Sequence, residues 1–174
     1  MIRWWPVVAL PLLVLLGWAV GHGSTPVDDW FQRGHGSAVR WLLFFTDYRT
    51  VGVILVATVA FALSRRRWPA ALLTVLTPAL AVESARLGKR LFGRWKGDAL
   101  SYPSGHTTLM VVVLGMAVLV VGARAWLVAA AVAWALLGVL GQAVTYHYFT
   151  DTVGGVLLGT SLVCVAAVIL HREH

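Results

Sequence analysis

The sequence predicts an all-α membrane protein, a bundle of six transmembrane helices. Three observations predict it: hydrophobic residues make up 59% of the 174 positions, charged residues only 12%, and the apolar residues gather in runs of near-spanning length. Soluble domains carry roughly a quarter charged residues, so the chain has too little polar surface for water and suits lipid. Crossing the hydrocarbon core takes about 20 mostly apolar residues in a helix. Six stretches qualify: Trp4 to Val20, Thr50 to Leu63, Trp68 to Leu87, Thr107 to Val121, Ala125 to Tyr146 and Thr152 to Leu170. The second is short, and the apolar stretch from Val39 to Phe45 extends it.

The first stretch has the look of a secretory signal, with Arg3 ahead of an apolar core and small residues after it. Five further spans make it an uncleaved anchor. Between spans one and two, Thr25 is placed to cap and Pro26 to start a short helix whose Val27, Trp30 and Phe31 share a face. This helix is expected in the membrane interface, or as a lid. No long polar linker or repeat breaks the order, so residues 1–174 form one domain.

Charge orients the bundle. With the N-terminus in the cytoplasm, the inner side receives Arg3, Arg65, Arg66, Arg67, Arg124 and Arg172, in short basic loops. The outer side receives Asp28, Asp29, Asp47, Asp98 and Asp151, together with a basic cluster from Lys89 to Lys96. The expectation is a multi-pass protein of the plasma (inner) membrane, with both termini cytoplasmic and the polar cluster outside. Trp4, Trp5, Trp30, Trp41, Trp68, Trp95 and Trp126 fall near span ends, as an interfacial belt requires. The net charge of +7 points to anionic lipid rather than nucleic acid, because no extended polar face exists to carry a phosphate-binding stripe. One cysteine, Cys164, excludes an intrachain disulfide and a cysteine metal cluster.

Ionisable groups are costly at membrane depth, so their positions point to function. They gather in Lys89 to Gly97, running into Ser101-Tyr102-Pro103-Ser104-Gly105-His106, and in His147-Tyr148-Phe149-Thr150-Asp151. Six antiparallel spans put both segments on one side of the membrane. The chemistry of the pieces suits phosphate. Pro103-Ser104-Gly105-His106 opens a helix, where free N–H groups bind anions and Gly105 permits close approach. Lys89, Arg94 and Lys96 add positive charge. His147 and Asp151 share a helical face, so the carboxylate can fix the imidazole tautomer and ready a nucleophile. A second histidine, His106, can protonate a departing oxygen, since imidazole titrates near 6.5. No cofactor is expected: there is no carboxylate cluster for magnesium and no HExxH helix for zinc.

These residues, in this order, resemble the type 2 phosphatidic acid phosphatase (PAP2) superfamily, whose signature reads KxxxxxxRP, then PSGH, then SRxxxxxHxxxD. The resemblance implies that His147 is the nucleophile forming a phosphohistidine, with Asp151 as its partner. It implies that His106 is the general acid, and that Lys89, Ser104 and the backbone of Gly105 bind phosphate. It also implies a lipid phosphate as substrate: polyprenyl diphosphate, phosphatidate, phosphatidylglycerophosphate or a phosphorylated polyprenyl sugar. The sequence departs from the signature at Lys96 and Gly97, where the family has arginine and proline, and at Leu140 and Gly141, where it has serine and arginine. Lysine keeps the charge without the bidentate fork, and glycine supplies nothing. Losing one such donor costs on the order of 10²–10³ in rate unless Arg94, Arg90 or Gln142 replaces it. Two other activities fit the same residues: a degenerate member that binds phospholipid without turnover, and a transferase that passes the phosphoryl group to an alcohol.

Bland readings hold elsewhere. Glu83 and Arg86 are spaced for an internal ion pair that can orient Lys89. Gly155 and Gly159 are spaced for close helix approach within one bundle, with a dimer face as the alternative. His171 and His174 belong to a solvated tail rather than a metal site.

Overall fold

The computed structural model describes residues 3–172, and His174 lies outside them. Among the described residues seven α-helices follow one another: α1 (Trp5–Val20), α2 (Pro26–Gln32), α3 (Tyr48–Ser64), α4 (Trp68–Phe92), α5 (Gly105–Val121), α6 (Ala125–Val144) and α7 (Phe149–Arg172). A 3-10 helix, Ala38–Thr46, leads into α3, and a small antiparallel hairpin of β1 (Trp95–Lys96) and β2 (Ala99–Leu100) joins α4 to α5.

Four segments of the described residues are long and apolar enough to cross a membrane: Ala38–Ser64, Trp68–Phe92, Ala125–Val144 and Phe149–His171. The other two expected spans are shorter apolar helices, Trp5–Val20 and Gly105–Val121, of 16 and 17 residues. At 1.5 Å per residue these reach only about 25 Å. The outer faces of the helices are apolar, with Val53, Val56, Leu72, Leu76, Leu80 and Leu136 all exposed, which costs little in hydrocarbon.

The central element is α5, which packs against α3, α4, α6 and α7. It is apolar on every side, and Met110, Val112, Val113, Met116 and Val120 are all buried. Gly155 and Gly159 let α7 approach it: a Cβ at Gly155 would meet the Ser104 carbonyl oxygen at 2.7 Å, and one at Gly159 would meet Val111 Cβ at 2.9 Å. The glycine spacing therefore serves packing inside the chain. α1 lies along α7, tied to it by a hydrogen bond from Trp5 Nε1 to Thr160 Oγ1 (2.8 Å).

This arrangement collects the chain's polar segments at one end of the bundle. The C-terminal ends of α4 and α6, the N-terminal ends of α5 and α7, the hairpin, α2 and the 3-10 helix meet there. Thr25 caps α2 as its sequence predicts, and Asp28 completes a capping box. The arginine-bearing turn Arg65–Arg67 lies at the opposite end, where Arg67 donates to the Val120 carbonyl (2.8 Å).

Candidate active site

Helix ends build the site. Ser104 caps α5, and its hydroxyl oxygen accepts from the Thr107 N–H. The N–H groups of Gly105 and His106 fall in the first turn, where no intrahelical acceptor exists. α4 ends at Gly93, which adopts the left-handed conformation (φ 60°) and turns the chain into the hairpin that carries Arg94 and Lys96. On the other side, α6 ends at Val144 and α7 begins at Phe149, so His147 lies in the turn between them and Asp151 in the first turn of α7.

These ends surround a cleft of about 780 Å³ lined by Lys89, Lys96, Gly105, His106 and His147, with Tyr48, Arg86 and Tyr146 at its sides. The rings of His106 and His147 are 6.1 Å apart between centroids. His106 is exposed to the cleft and His147 is buried. Lys89 Nζ donates to the Leu100 carbonyl (2.6 Å). Lys96 Nζ donates to Gln32 Oε1 (2.9 Å) and to the His147 carbonyl (3.0 Å). Burial lowers the Lys96 ammonium to about 8, against the attraction of Asp151 and Asp28. An apolar hollow of about 370 Å³ between α5, α6 and α7 is lined by no ionisable group.

Behind His147 stands Asp151, fully buried. Its Oδ2 lies 3.7 Å from His147 Nδ1, a little beyond hydrogen-bond length, and Nδ1 has no other partner among the described residues. A shift of under about 1 Å would bring the two atoms within hydrogen-bond length. Burial pushes the His147 imidazole below its ordinary value. Lys89 and Lys96 act in the same direction, and Asp151 opposes them. The neutral, nucleophilic form is thereby favoured at neutral pH.

Two of the expected phosphate ligands point elsewhere. Arg94 is fully buried, and its guanidinium donates to Asp28 Oδ2 (2.7 Å), Asp151 Oδ1 (2.8 Å), Thr150 Oγ1 (2.6 Å) and the Gly23 carbonyl. It is thus held behind the His147–Asp151 pair and does not line the cleft. Ser104 is also buried, its hydroxyl turned into α5 and bonded to Thr107.

Neither remaining candidate stands in for the third-motif arginine. Arg90 is exposed and away from the cleft lining, and Gln142 is buried, donating to Thr46 Oγ1 (2.7 Å). Gly141 itself faces the 3-10 helix, and a Cβ there would come within 2.7 Å of the Leu42 carbonyl carbon. Where the family signature has arginine, the backbone of Leu42 passes close by. The Glu83–Arg86 pair forms (2.6 Å) but is largely solvent-exposed, and Lys89 is held by Leu100 instead.

Sequence reasoning missed Asp28, Gln32 and Thr150. The Thr25-x-x-Asp28 capping pattern is visible in the sequence, but nothing local shows that the same carboxylate meets an arginine 66 residues away. Among the described residues no group of three or more His, Cys, Asp or Glu is placed to hold a metal ion.

A helical bundle with an apolar exterior, carrying two histidines, a buried carboxylate and two lysines around a cleft at one end, defines a class of membrane protein. The chain belongs to the PAP2 superfamily, whose family model matches residues 70–174. No curated protein and no solved structure matches it. Membership suggests phosphatase activity on lipid-like substrates.

Proposed function

We propose that this protein is an integral membrane lipid phosphatase that hydrolyses a phosphomonoester or diphosphate through a phosphohistidine on His147. The observation that carries this reading is the pairing of His106 and His147 across one cleft, 6.1 Å between ring centroids, with lysines on its wall and the start of α5 at its floor.

In the first step Asp151 holds the Nδ1 proton of His147, and the Nε2 lone pair attacks phosphorus. The bond from phosphorus to the leaving oxygen breaks, and His106 donates its proton to that oxygen. In the second, neutral His106 removes a proton from water, the hydroxide displaces His147 from phosphorus, and phosphate leaves. Lys89, Lys96 and the N–H groups of Gly105 and His106 neutralise the equatorial oxygens. Ser104 acts by shaping the loop, and Arg94 acts through Asp151. The exposed apolar faces support six crossings, with α1 and α5 reaching the interfaces through their flanking loops. They also support lateral entry of a substrate whose chains stay in lipid. The arginines of the opposite end favour a cleft on the outer face of the plasma membrane.

Phosphate release by purified protein in detergent tests this, with a chelator present, on polyprenyl diphosphate, phosphatidate, phosphatidylglycerophosphate and a phosphorylated polyprenyl sugar. Wild type releases phosphate from at least one of them and His147→Ala from none. Lipid binding without release would favour a non-catalytic member, and labelled phosphate on an added alcohol would favour transfer.

A further inference from the structure

The strongest feature outside the cleft is the buried charge cluster beneath α2. Arg94 and Asp28 are both inaccessible to solvent, as is Asp151. Arg94 lies between the two carboxylates and over the face of Tyr148, 4.4 Å from its centroid. Asp28 also accepts from the Thr25 N–H (2.9 Å), the Thr25 hydroxyl (2.8 Å) and the Thr150 N–H (2.9 Å). Burial alone would raise the Asp28 carboxyl, but these bonds, with that from Arg94, hold it below its ordinary value and keep it charged.

The arithmetic of charge gives the cluster a purpose. A buried arginine with Asp151 as its only partner would neutralise that carboxylate, leaving little negative potential for an imidazolium at His147. A second carboxylate on the far side of Arg94 returns the cluster to a net single negative charge. It also fixes geometry. Asp151 Oδ1 is held by Arg94, and Oδ2 is held by the Tyr148 N–H (3.0 Å). The carboxylate cannot rotate, and Oδ2 stays aimed at His147 Nδ1. The α2 segment that supplies Asp28 lies outside the stretch that matches the family, residues 70–174.

We propose that Asp28 and Arg94 are positioning residues for the Asp151–His147 pair, Asp28 balancing Arg94 so that Asp151 keeps its negative charge for His147. This rests on the proposed phosphohistidine reaction. Neither side chain lines the cleft, so their loss lowers kcat and leaves KM in place.

The test compares Asp28→Asn, Arg94→Lys and the double variant Asp28→Asn/Arg94→Gln with wild type and His147→Ala, by kcat and KM for phosphate release and by NMR titration of the His147 ring. The groups facing that ring are Asp151 on α7, Lys89 on α4, Lys96 on β1 and His106 on α5, all unchanged in these variants. Asp28→Asn is expected to lose on the order of 10²-fold in kcat, as slight misplacement of a catalytic group does, with KM within twofold and the His147 titration moved to lower pH. The double variant, its charge rebalanced, recovers at least tenfold and moves the titration back. A merely structural role predicts that the double is no better than the single, and that result overturns the inference. So does an unmoved titration or a loss confined to KM. Should Asp28→Asn not fold, Arg94→Lys decides: lysine keeps the charge but cannot bridge two carboxylates, and a wild-type kcat refutes the proposal. If wild type releases no phosphate while the titration still responds to Asp28→Asn, the phosphatase reading fails and the charge coupling stands.

Discussion

Position 141 offers the sharpest test of how this chain departs from its family. The superfamily signature has an arginine there, and this chain has Gly141. A Cβ built at Gly141 falls 2.7 Å from the Leu42 carbonyl carbon and 2.9 Å from both Leu42 Cβ and the Leu42 carbonyl oxygen. Two of those atoms are backbone, held in the 3-10 helix that packs along α6, so relief requires moving the helix rather than a rotamer. Overpacking of this kind costs about 1–3 kcal/mol. For a chain of this length each kcal/mol lowers the melting temperature by about 2–4 °C, so Gly141→Ala, a change inside α6, should melt roughly 2–12 °C below a protein given the same glycine-to-alanine change at an open helix position. Gly52, inside α3, is the control, because a Cβ placed there meets nothing within 4 Å. Alanine there gains about 0.5–1 kcal/mol of helix propensity. Thermal unfolding in detergent, with phosphate release in parallel, measures both. Gly141→Arg restores the family residue and yet gains no activity. A Gly141→Ala protein as stable as Gly52→Ala, or a Gly141→Arg protein that turns over faster, would refute the claim that the 3-10 helix closes this position.

Other predictions follow from the same geometry. Lys96, lowered to about 8, gives kcat/KM an alkaline limb near that pH, and Lys96→Arg, which stays protonated, removes it. Because the unfolded lysine titrates near 10.5, the unfolded state binds more protons between about 8 and 10.5. The Lys96 contribution to stability therefore improves with rising pH across that window while activity falls, and paired melting and rate profiles separate the two. Arg94→Ala leaves two buried carboxylates unpaired and costs about 3–5 kcal/mol. Glu83→Ala, which breaks an exposed pair, stays within about 1 kcal/mol by the same unfolding assay. Arg94→Ala also loses more activity than Arg33→Ala, which changes an exposed arginine just after α2, and equal losses would count against the buried cluster. His106→Ala slows transfer of the phosphoryl group to His147 from an alkyl phosphate by about 10²–10⁴, read by rapid quench, but much less from a nitrophenyl phosphate, whose leaving group needs no proton. An equal loss on both substrates would remove His106 from the role of acid.

Much of the candidate site's layout was legible because its residues lie in short segments at helix starts. Pro103 to His106 and His147 to Asp151 each announce themselves locally, and antiparallel spans bring them to one end. Hydrophobic length found every long helix, although α1 and α5 are shorter than a full crossing. What the sequence could not show was how buried side chains pair. Arg94 reads as a free cation in a basic run, and only the fold reveals that Asp28 and Asp151 close around it. Gly141 likewise reads as a missing ligand until the 3-10 helix is seen crossing it. Ser104 carries the right motif, but its hydroxyl serves the helix that follows.

Transfer of the phosphoryl group to His147 is the step on which the proposed reaction stands. The most direct measurement is rapid quenching of the wild-type protein with phosphorus-labelled substrate, followed by mapping of acid-labile, base-stable label to its residue. Label is expected on His147 in wild type, with accumulation in His106→Ala, where water is no longer activated, and none in His147→Ala. Label on another residue, or turnover by His147→Ala at the wild-type rate, would contradict it.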